Sequence, residues 1–311
     1  MARDKSDELR LAARDGRDAR GTRVTFAQAF EQHFRQREQG LKNAKHIWQW
    51  RNGMENHAFP IIGTRSVAEI THDEIIAILR PIWREKPETA RRQLQRMSTI
   101  FEIVISRGLR RDPNPCKGVA DDLGQQGDRV AHHPALPYAE VPAFIRKLRT
   151  CNSNQVTKLA FEWLILTATR SGETRLADWA EIDEPRKIWV IPAERTKTKV
   201  QHEVPLSDRC LEILRSLPKT GLLFPARGGR PMSDMIFALV LKSMGLRGRA
   251  SAHGFRSSFR DWATEVDKCR EVVAEAALAH AVKDRAEAAY RRATYLDDRV
   301  GLMQRWANHC G

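Results

Sequence analysis

The feature that most constrains this chain is a break in its middle. Asp112-Pro-Asn-Pro115 ends a helical pattern, and Lys117 to Pro137 is then rich in Gly, Asp, Gln and His, with Pro134 and Pro137 close together. Proline stops helices, and such a polar stretch has no apolar face to bury, so it reads as a linker between two folding units. The expected division is a polar arm at 1–22, a helical domain at 23–115, a linker at 116–133 and a second domain at 134–311.

Before the break the apolar residues recur with helical period. Thr25 stands as an N-cap ahead of Phe26, Phe30 and Phe34. A second helix is predicted from about Ala44 to Phe59, stopped by Pro60. Thr71-His-Asp-Glu74 is a capping-box sequence leading into Ile75, Ile76, Ile78 and Leu79. A fourth helix runs from about Glu88 to Arg107 and ends at Gly108, with Leu94, Met97, Ile100, Phe101 and Val104 as its core stripe. Beyond the linker the pattern is mixed. Helices are expected at about 138–149, 155–169, 208–216, 233–244, 254–266, 271–279, 284–292 and 296–309, and strands at 187–191 and 203–206. The fold class is therefore mainly α with a small antiparallel β-sheet (α+β).

Lys and Arg number 53 against 39 Asp and Glu, a net charge of +14. That excess goes beyond what solubility needs and points to a polyanion, nucleic acid first. Arg91, Arg92 and Arg96 on the fourth helix are candidate DNA contacts. No apolar run is long enough to span a bilayer, and the charged start lacks a secretion signal, so a cytoplasmic location without membrane contact is expected. The five cysteines, Cys116, Cys151, Cys210, Cys269 and Cys310, are irregularly spaced, with no C-x-x-C pair and no nearby His at metal-ligand spacing. They read as reduced structural thiols, and no metal site is expected.

Cleaving a phosphodiester needs cations on the non-bridging oxygens, an acid for the leaving oxygen and a nucleophile. The sequence shows no carboxylate cluster for two metals, which leaves arginines for the first task. Thr167-Ala-Thr-Arg170-Ser-Gly-Glu173 closes a helix that is apolar on nearly every face. An arginine there gains from the helix dipole and can grip a phosphate with two hydrogen bonds, with Glu173 near enough to orient it. In Ala252-His253-Gly-Phe-Arg256, His253 and Arg256 share a face if a helix starts here, while Phe255, Phe259, Trp262 and Val266 pack it down. Leu278-Ala-His280 ends a small helix, and Ala289-Tyr290 follows. A phenol, with a reference pKa of about 10, is a poor nucleophile unless nearby cations favour its ionised form. Arg195-Thr-Lys197-Thr-Lys199 lies between the two predicted strands, where a long cation could reach a leaving oxygen. Arg195, Lys199 and Arg260 are further candidate DNA contacts.

The order Arg170, Lys197, His253-x-x-Arg256, His280, Tyr290 resembles that of the tyrosine recombinases, or phage-integrase family. His202-Glu-Val-Pro-Leu-Ser207 after the lysine hairpin is similar as well, and Leu302-Met-Gln-Arg-Trp-Ala307 resembles integrases of prophages and genomic islands. The resemblance covers about residues 23–311. It implies a helical core-type DNA-binding domain joined to a catalytic domain that breaks and rejoins DNA. Tyr290 would form a 3′-phosphotyrosyl bond, freeing a 5′-hydroxyl, and Arg170 and Arg256 would clamp the phosphate. Lys197 would be the general acid, His253 would assist proton transfer at Tyr290, and His280 would donate a hydrogen bond to the phosphate. Tyr290 is preferred to Tyr295, and Lys197 to Lys199, on family spacing. Protein cations replace metal ions, so no cofactor is expected.

The partners implied are double-stranded DNA attachment sites, three further protomers in a homotetramer, and DNA-bending accessory proteins, with a monomer free in solution. The terminal helix at 296–309 would pack on a neighbour. Residues 1–22 are too short for the family's arm-type domain. A type IB topoisomerase and a non-catalytic DNA-binding relative are the alternatives, the latter disfavoured because every expected catalytic position is filled.

Overall fold

Phenylalanines spaced one helical turn apart, followed by capped helices, leave the first half of the chain one solution, a small helical bundle. The computed structural model describes residues 23–38, 40, 44–126, 133–280 and 295–311. The chain divides into two units, Met1–Val130 and Ala131–Gly311.

In the first unit, α1 (Phe26–Glu38) buries Phe26, Phe30 and Phe34 completely. Thr25 caps it reciprocally with Gln28: the Gln28 amide donates to Thr25 Oγ1 at 3.3 Å, and Gln28 Oε1 accepts from the Thr25 amide at 2.9 Å. Next come α2 (Ala44–Gly53), a π-turn at Met54–Ala58, and α3 (Phe59–Ile62). The expected stop at Pro60 does not occur. A proline ring clashes with the carbonyl four residues back, and the wider π-turn just before it relieves that clash. The capping box of α4 (His72–Trp83) forms as its sequence dictates. In α5 (Pro87–Ser106) Met97, Ile100, Phe101 and Val104 are buried. Gly108, at φ 70°, closes the helix, its amide reaching the Ile105 carbonyl while that of Leu109 reaches Val104. The first unit continues past the expected linker boundary. Cys116 and Val119 are buried in its core, and α6 (Val119–Leu123) packs on α4. Polar contacts hold the same stretch, whose composition is otherwise that of a linker: Trp83 Nε1 donates to the Gly124 carbonyl at 2.7 Å, and Gln126 Nε2 donates to the Trp83 carbonyl at 3.1 Å.

The second unit wraps helices around α8 (Gln155–Thr167), of which Thr157 and Leu159–Thr167 are buried. Against it pack α7 (Val141–Thr150), α10 (Asp208–Arg215), α11 (Ile236–Ser243), α12 (Gly254–Glu265) and α14 (Leu296–Cys310). Short helices α9 (Ser171–Arg175) and α13 (Glu271–Ala277) complete it. The two expected strands form an antiparallel hairpin, β2 (Ile188–Ile191) with β3 (His202–Pro205), and β1 (Ile182–Asp183) adds a third strand on the β2 edge. One correction concerns an apolar face. Val266, expected in the α12 stripe, is 51% exposed, because it lies just past the end of the helix. The terminal helix turns one apolar face to its own unit. Leu302, Met303, Trp306 and Ala307 are buried there, and Trp306 Nε1 donates to the Ile165 carbonyl at 2.8 Å. The helix expected at 284–292 lies outside the described residues.

Beneath α12 a backbone strap crosses close to the helix start. A β-carbon on Gly254 would sit 2.0 Å from the Pro134 carbonyl oxygen, so only glycine fits there. Ser251 Oγ donates to the same carbonyl at 3.0 Å, and Ser258 Oγ donates to that of Leu136. The glycine between His253 and Phe255 is thus a packing requirement that sets where the helix carrying Arg256 begins.

Candidate active site

Arg170 is placed differently from its sequence reading. α8 stops at Thr167, Ala168 takes a left-handed conformation (φ 49°), and Arg170 is the N-cap of α9. A buried chain of hydroxyls, Thr167 to Thr169 at 2.9 Å and Thr169 to Thr174 at 3.0 Å, pins this turn. Glu173, almost wholly buried, accepts from the Arg170 amide at 2.7 Å and from its Nη1 at 2.8 Å. Arg170 Nη2 donates to the Ala279 carbonyl at 3.2 Å.

The α8 end acts on the other arginine. Arg256, 4% exposed, donates through Nη1 to the Ala168 carbonyl and through Nη2 to that of Leu278 at 2.5 Å. Those carbonyls cap α8 and α13, where helix dipoles place partial negative charge. Burial and the neighbouring Arg170 lower the Arg256 guanidinium to about 10, which leaves it charged at neutral pH. Its Nη2 lies 3.3 Å from His280 Nε2. Three distant segments, the turn after α8, the start of α12 and the end of α13, therefore bring Arg170, Arg256 and His280 together.

His253 is the N-cap of α12, its ring edge-on to His133 at 4.7 Å between centroids. Burial, with Arg256, His133, Arg170 and His280 adding to it, pushes its imidazole down to about 4, so it is neutral at physiological pH. Lys197 is exposed on the turn between β2 and β3, and no described hydrogen bond joins it to the arginine pair. Lys199, at φ 58°, donates through Nζ to the Glu194 carbonyl at 3.0 Å. Tyr290 lies outside the described residues. The other tyrosines are held elsewhere: the Tyr138 hydroxyl donates to Glu265 at 3.1 Å, and the Tyr295 ring lies 5.4 Å from the Arg270 guanidinium.

The candidate DNA contacts divide. Arg195 is partly shielded, at 18% side-chain exposure. It pairs with Glu181 and donates to the Glu173 carbonyl, tying the hairpin to the residue that holds Arg170. Arg260 is taken up by Glu275 at 2.6 Å and Glu271 at 3.2 Å. In the first unit Arg91 reaches Gln126 at 2.5 Å and Arg92 reaches Glu88 at 2.7 Å, both side chains more than half exposed. Arg96 donates to the Gln49 carbonyl at 3.1 Å, and burial lowers it to about 10. Arg92 and Arg96 share a hollow with Arg37, Gln49, Gln95 and Thr99.

Sequence reasoning gave no role to two neighbours of the site. His202, at the start of β3, is buried. Burial above all, then Arg299, Arg256 and Arg170, pushes it to about 3, against a backbone hydrogen bond at Ala277. Glu275 accepts from His280 Nδ1 at 2.7 Å. The one available sign for His202 is strand alternation, which turns it inward with Val204. Among the described residues no three His, Cys, Asp or Glu gather to hold a metal, no helix is long and apolar enough to cross a membrane, and the five cysteines are free thiols.

The chain is similar to known proteins over nearly its whole length. A sequence model of the phage integrase central domain matches residues 26–120, and one of the phage integrase family matches residues 135–295. Prophage integrase IntZ of Escherichia coli K12 is 32% identical over 298 residues, covering 94% of this chain and 72% of that protein. Prophage integrase IntA of the same strain is 34% identical over 266 residues, covering 83% and 63%. The chain thus spans about two thirds of the length of these relatives. In fold it is similar to lambda integrase (residues 75–356) solved as a dimer bound to a COC′ core site, with a TM-score of 0.67 at 17% identity over 83% of this chain and 96% of that one. With a lambda integrase tetramer bound to a Holliday junction the TM-score is 0.69 at 16% identity, over 84% and 79%. The chain belongs to the phage integrase family, the tyrosine-type site-specific recombinases.

Proposed function

We propose that this chain cuts and rejoins duplex DNA at specific attachment sites through a phosphotyrosine at Tyr290. The observation that carries this reading is the convergence of Arg170, Arg256 and His280, with each arginine anchored on backbone carbonyls. Two rigid guanidiniums suit the two non-bridging oxygens of a phosphate. The Tyr290 oxygen attacks phosphorus, the bond to the 5′ oxygen breaks, and Lys197 on its hairpin turn protonates that oxygen. His253, neutral at physiological pH, accepts the phenol proton. His280 donates to the phosphate as charge builds up on it. Rejoining is the reverse, with the 5′-hydroxyl attacking the phosphotyrosine, and it needs no external energy because the broken bond is stored. These steps use side chains alone, without a cofactor.

The helical domain at 23–115 and the catalytic domain at 134–311 each contact the duplex, the former through Arg91, Arg92 and Arg96. Charge-driven binding of this kind weakens steeply with salt. Four protomers on two sites, aided by proteins that bend DNA, carry out recombination in the cytoplasm, where the DNA is. The test is a nicked suicide substrate bearing the attachment site, incubated with EDTA. Wild type and Tyr295→Phe form a covalent protein–DNA adduct, and Tyr290→Phe does not. An adduct lost in Tyr295→Phe and kept in Tyr290→Phe overturns the assignment. Plasmid relaxation without two-site recombination would favour topoisomerase action instead.

A further inference from the structure

Behind the arginine pair stands a row of charged side chains that the roles above leave unused. Arg260 lies one turn after Arg256 on α12, and its Nε donates to Glu275 Oε1 at 2.6 Å. The other Glu275 oxygen faces His280 Nδ1 at 2.7 Å. Burial alone would raise the Glu275 carboxyl, but the hydrogen bonds from Arg260 and His280 outweigh it and hold the group below its ordinary 4.5. An ionised carboxylate only accepts, so the proton of this bond sits on Nδ1. A guanidinium only donates, so Nε2, 3.3 Å from Arg256 Nη2, is an acceptor in the DNA-free site.

We infer that Glu275, clamped by Arg260, is a positioning residue for strand cleavage. It holds the His280 ring with Nε2 turned to the scissile phosphate, and it supplies the counter-charge for the imidazolium that must form there. This inference rests on the reading of Arg170, Arg256 and His280 as the phosphate pocket. A phosphate oxygen accepts and does not donate, so Nε2 can bond to it only as N–H. That proton comes from solvent while Nδ1–H stays on Glu275, and the ring gains one positive charge as the phosphate enters. Among the described residues, the other charged and titratable groups around the ring are Arg256 and His253 from α12 and Arg170 from the start of α9. Glu173 is committed to Arg170, and Glu271 reaches the row through Arg260. A further cation among these arginines is repelled, and the Glu275 carboxylate, in direct hydrogen-bond contact, offsets that repulsion.

The test is a double-mutant cycle on single-turnover adduct formation with the nicked substrate, using wild type, Glu275→Gln, His280→Ala and the double variant. DNA affinity and melting temperature are measured alongside. Glu275→Gln should slow cleavage about tenfold, the order expected for one partly exposed charge-assisted hydrogen bond, with DNA affinity unchanged. In the His280→Ala background the same substitution should change the rate by less than about twofold, because the coupling runs through the ring. Arg260→Gln should reproduce part of the slowing. Equal slowing by Glu275→Gln in both backgrounds overturns the inference, and so does no slowing in the wild-type background. If His280→Ala alone cleaves at the wild-type rate, the phosphate-pocket role of His280 falls and this inference with it, a result distinct from the other two.

Discussion

Replacing Gly254 with alanine tests how the helix carrying Arg256 is seated. The new β-carbon would lie 2.0 Å from the Pro134 carbonyl oxygen and 2.8 Å from the Ala135 α-carbon. The ordinary closest C···O approach is about 3.3 Å, so relief requires the strap to move by more than an ångström. The obstacle is backbone, which no side-chain rotation can clear. Moving it strains or breaks the hydrogen bonds that Ser251 and Ser258 donate to Pro134 and Leu136, each worth about 1 kcal/mol. It also disturbs Leu136, which is 3% exposed. Together with the overpacking itself, the expected loss is about 2–4 kcal/mol. For a unit of this size, each kcal/mol lowers the melting temperature by about 2–4 °C, so a fall of about 5–15 °C is expected by calorimetry. Adduct formation, measured at a temperature where the variant is folded, should fall too, because the start of α12 positions both His253 and Arg256. A melting temperature within about 2 °C of wild type, with cleavage unchanged, would refute the close crossing of strap and helix.

Two further outcomes follow from buried charge. Glu162, 2% exposed, is gripped by Arg149 and Arg209, each at 2.7 Å; burial would raise its carboxyl, but the two arginines outweigh that and hold it below 4.5. A carboxyl lowered on folding contributes stability above its unfolded value that is lost as pH falls through its folded value, so acid unfolding of wild type should include this component, and Glu162→Gln should remove it at a cost of about 3 kcal/mol at neutral pH in urea titrations. Arg256→Lys keeps the charge but cannot span the Ala168 and Leu278 carbonyls, and single-turnover cleavage should fall about 100-fold or more; a fall of less than about threefold would mean that the fork geometry does not matter.

Local chemistry was legible in the chain itself. The capping box at Thr71–Glu74, the phenylalanines of the first helix and the β2–β3 hairpin all arise from side chains a few residues apart, and they form where their spacing puts them. The motif strings carried the family, because each is a short run whose residue types can be read in order. What stayed hidden depends on partners far along the chain. β1 has two residues and exists only by pairing with β2. Arg195 and Arg260 look like any surface cations until Glu181 and Glu275 arrive beside them. The helix dipole credited to Arg170 belongs to Arg256, which reaches the end of α8 from 88 residues away.

The sequence by itself determined where helices begin, which faces are apolar and which residues are available to hold a phosphate, since these follow from periodicity, capping and side-chain chemistry. Only the tertiary structure decided that Arg170, Arg256 and His280 meet while Arg195 and Arg260 turn to Glu181 and Glu275, and that the last helix folds back on its own unit. A hydrogen bond or an ion pair is a matter of a few ångströms, and sequence distance carries no record of it.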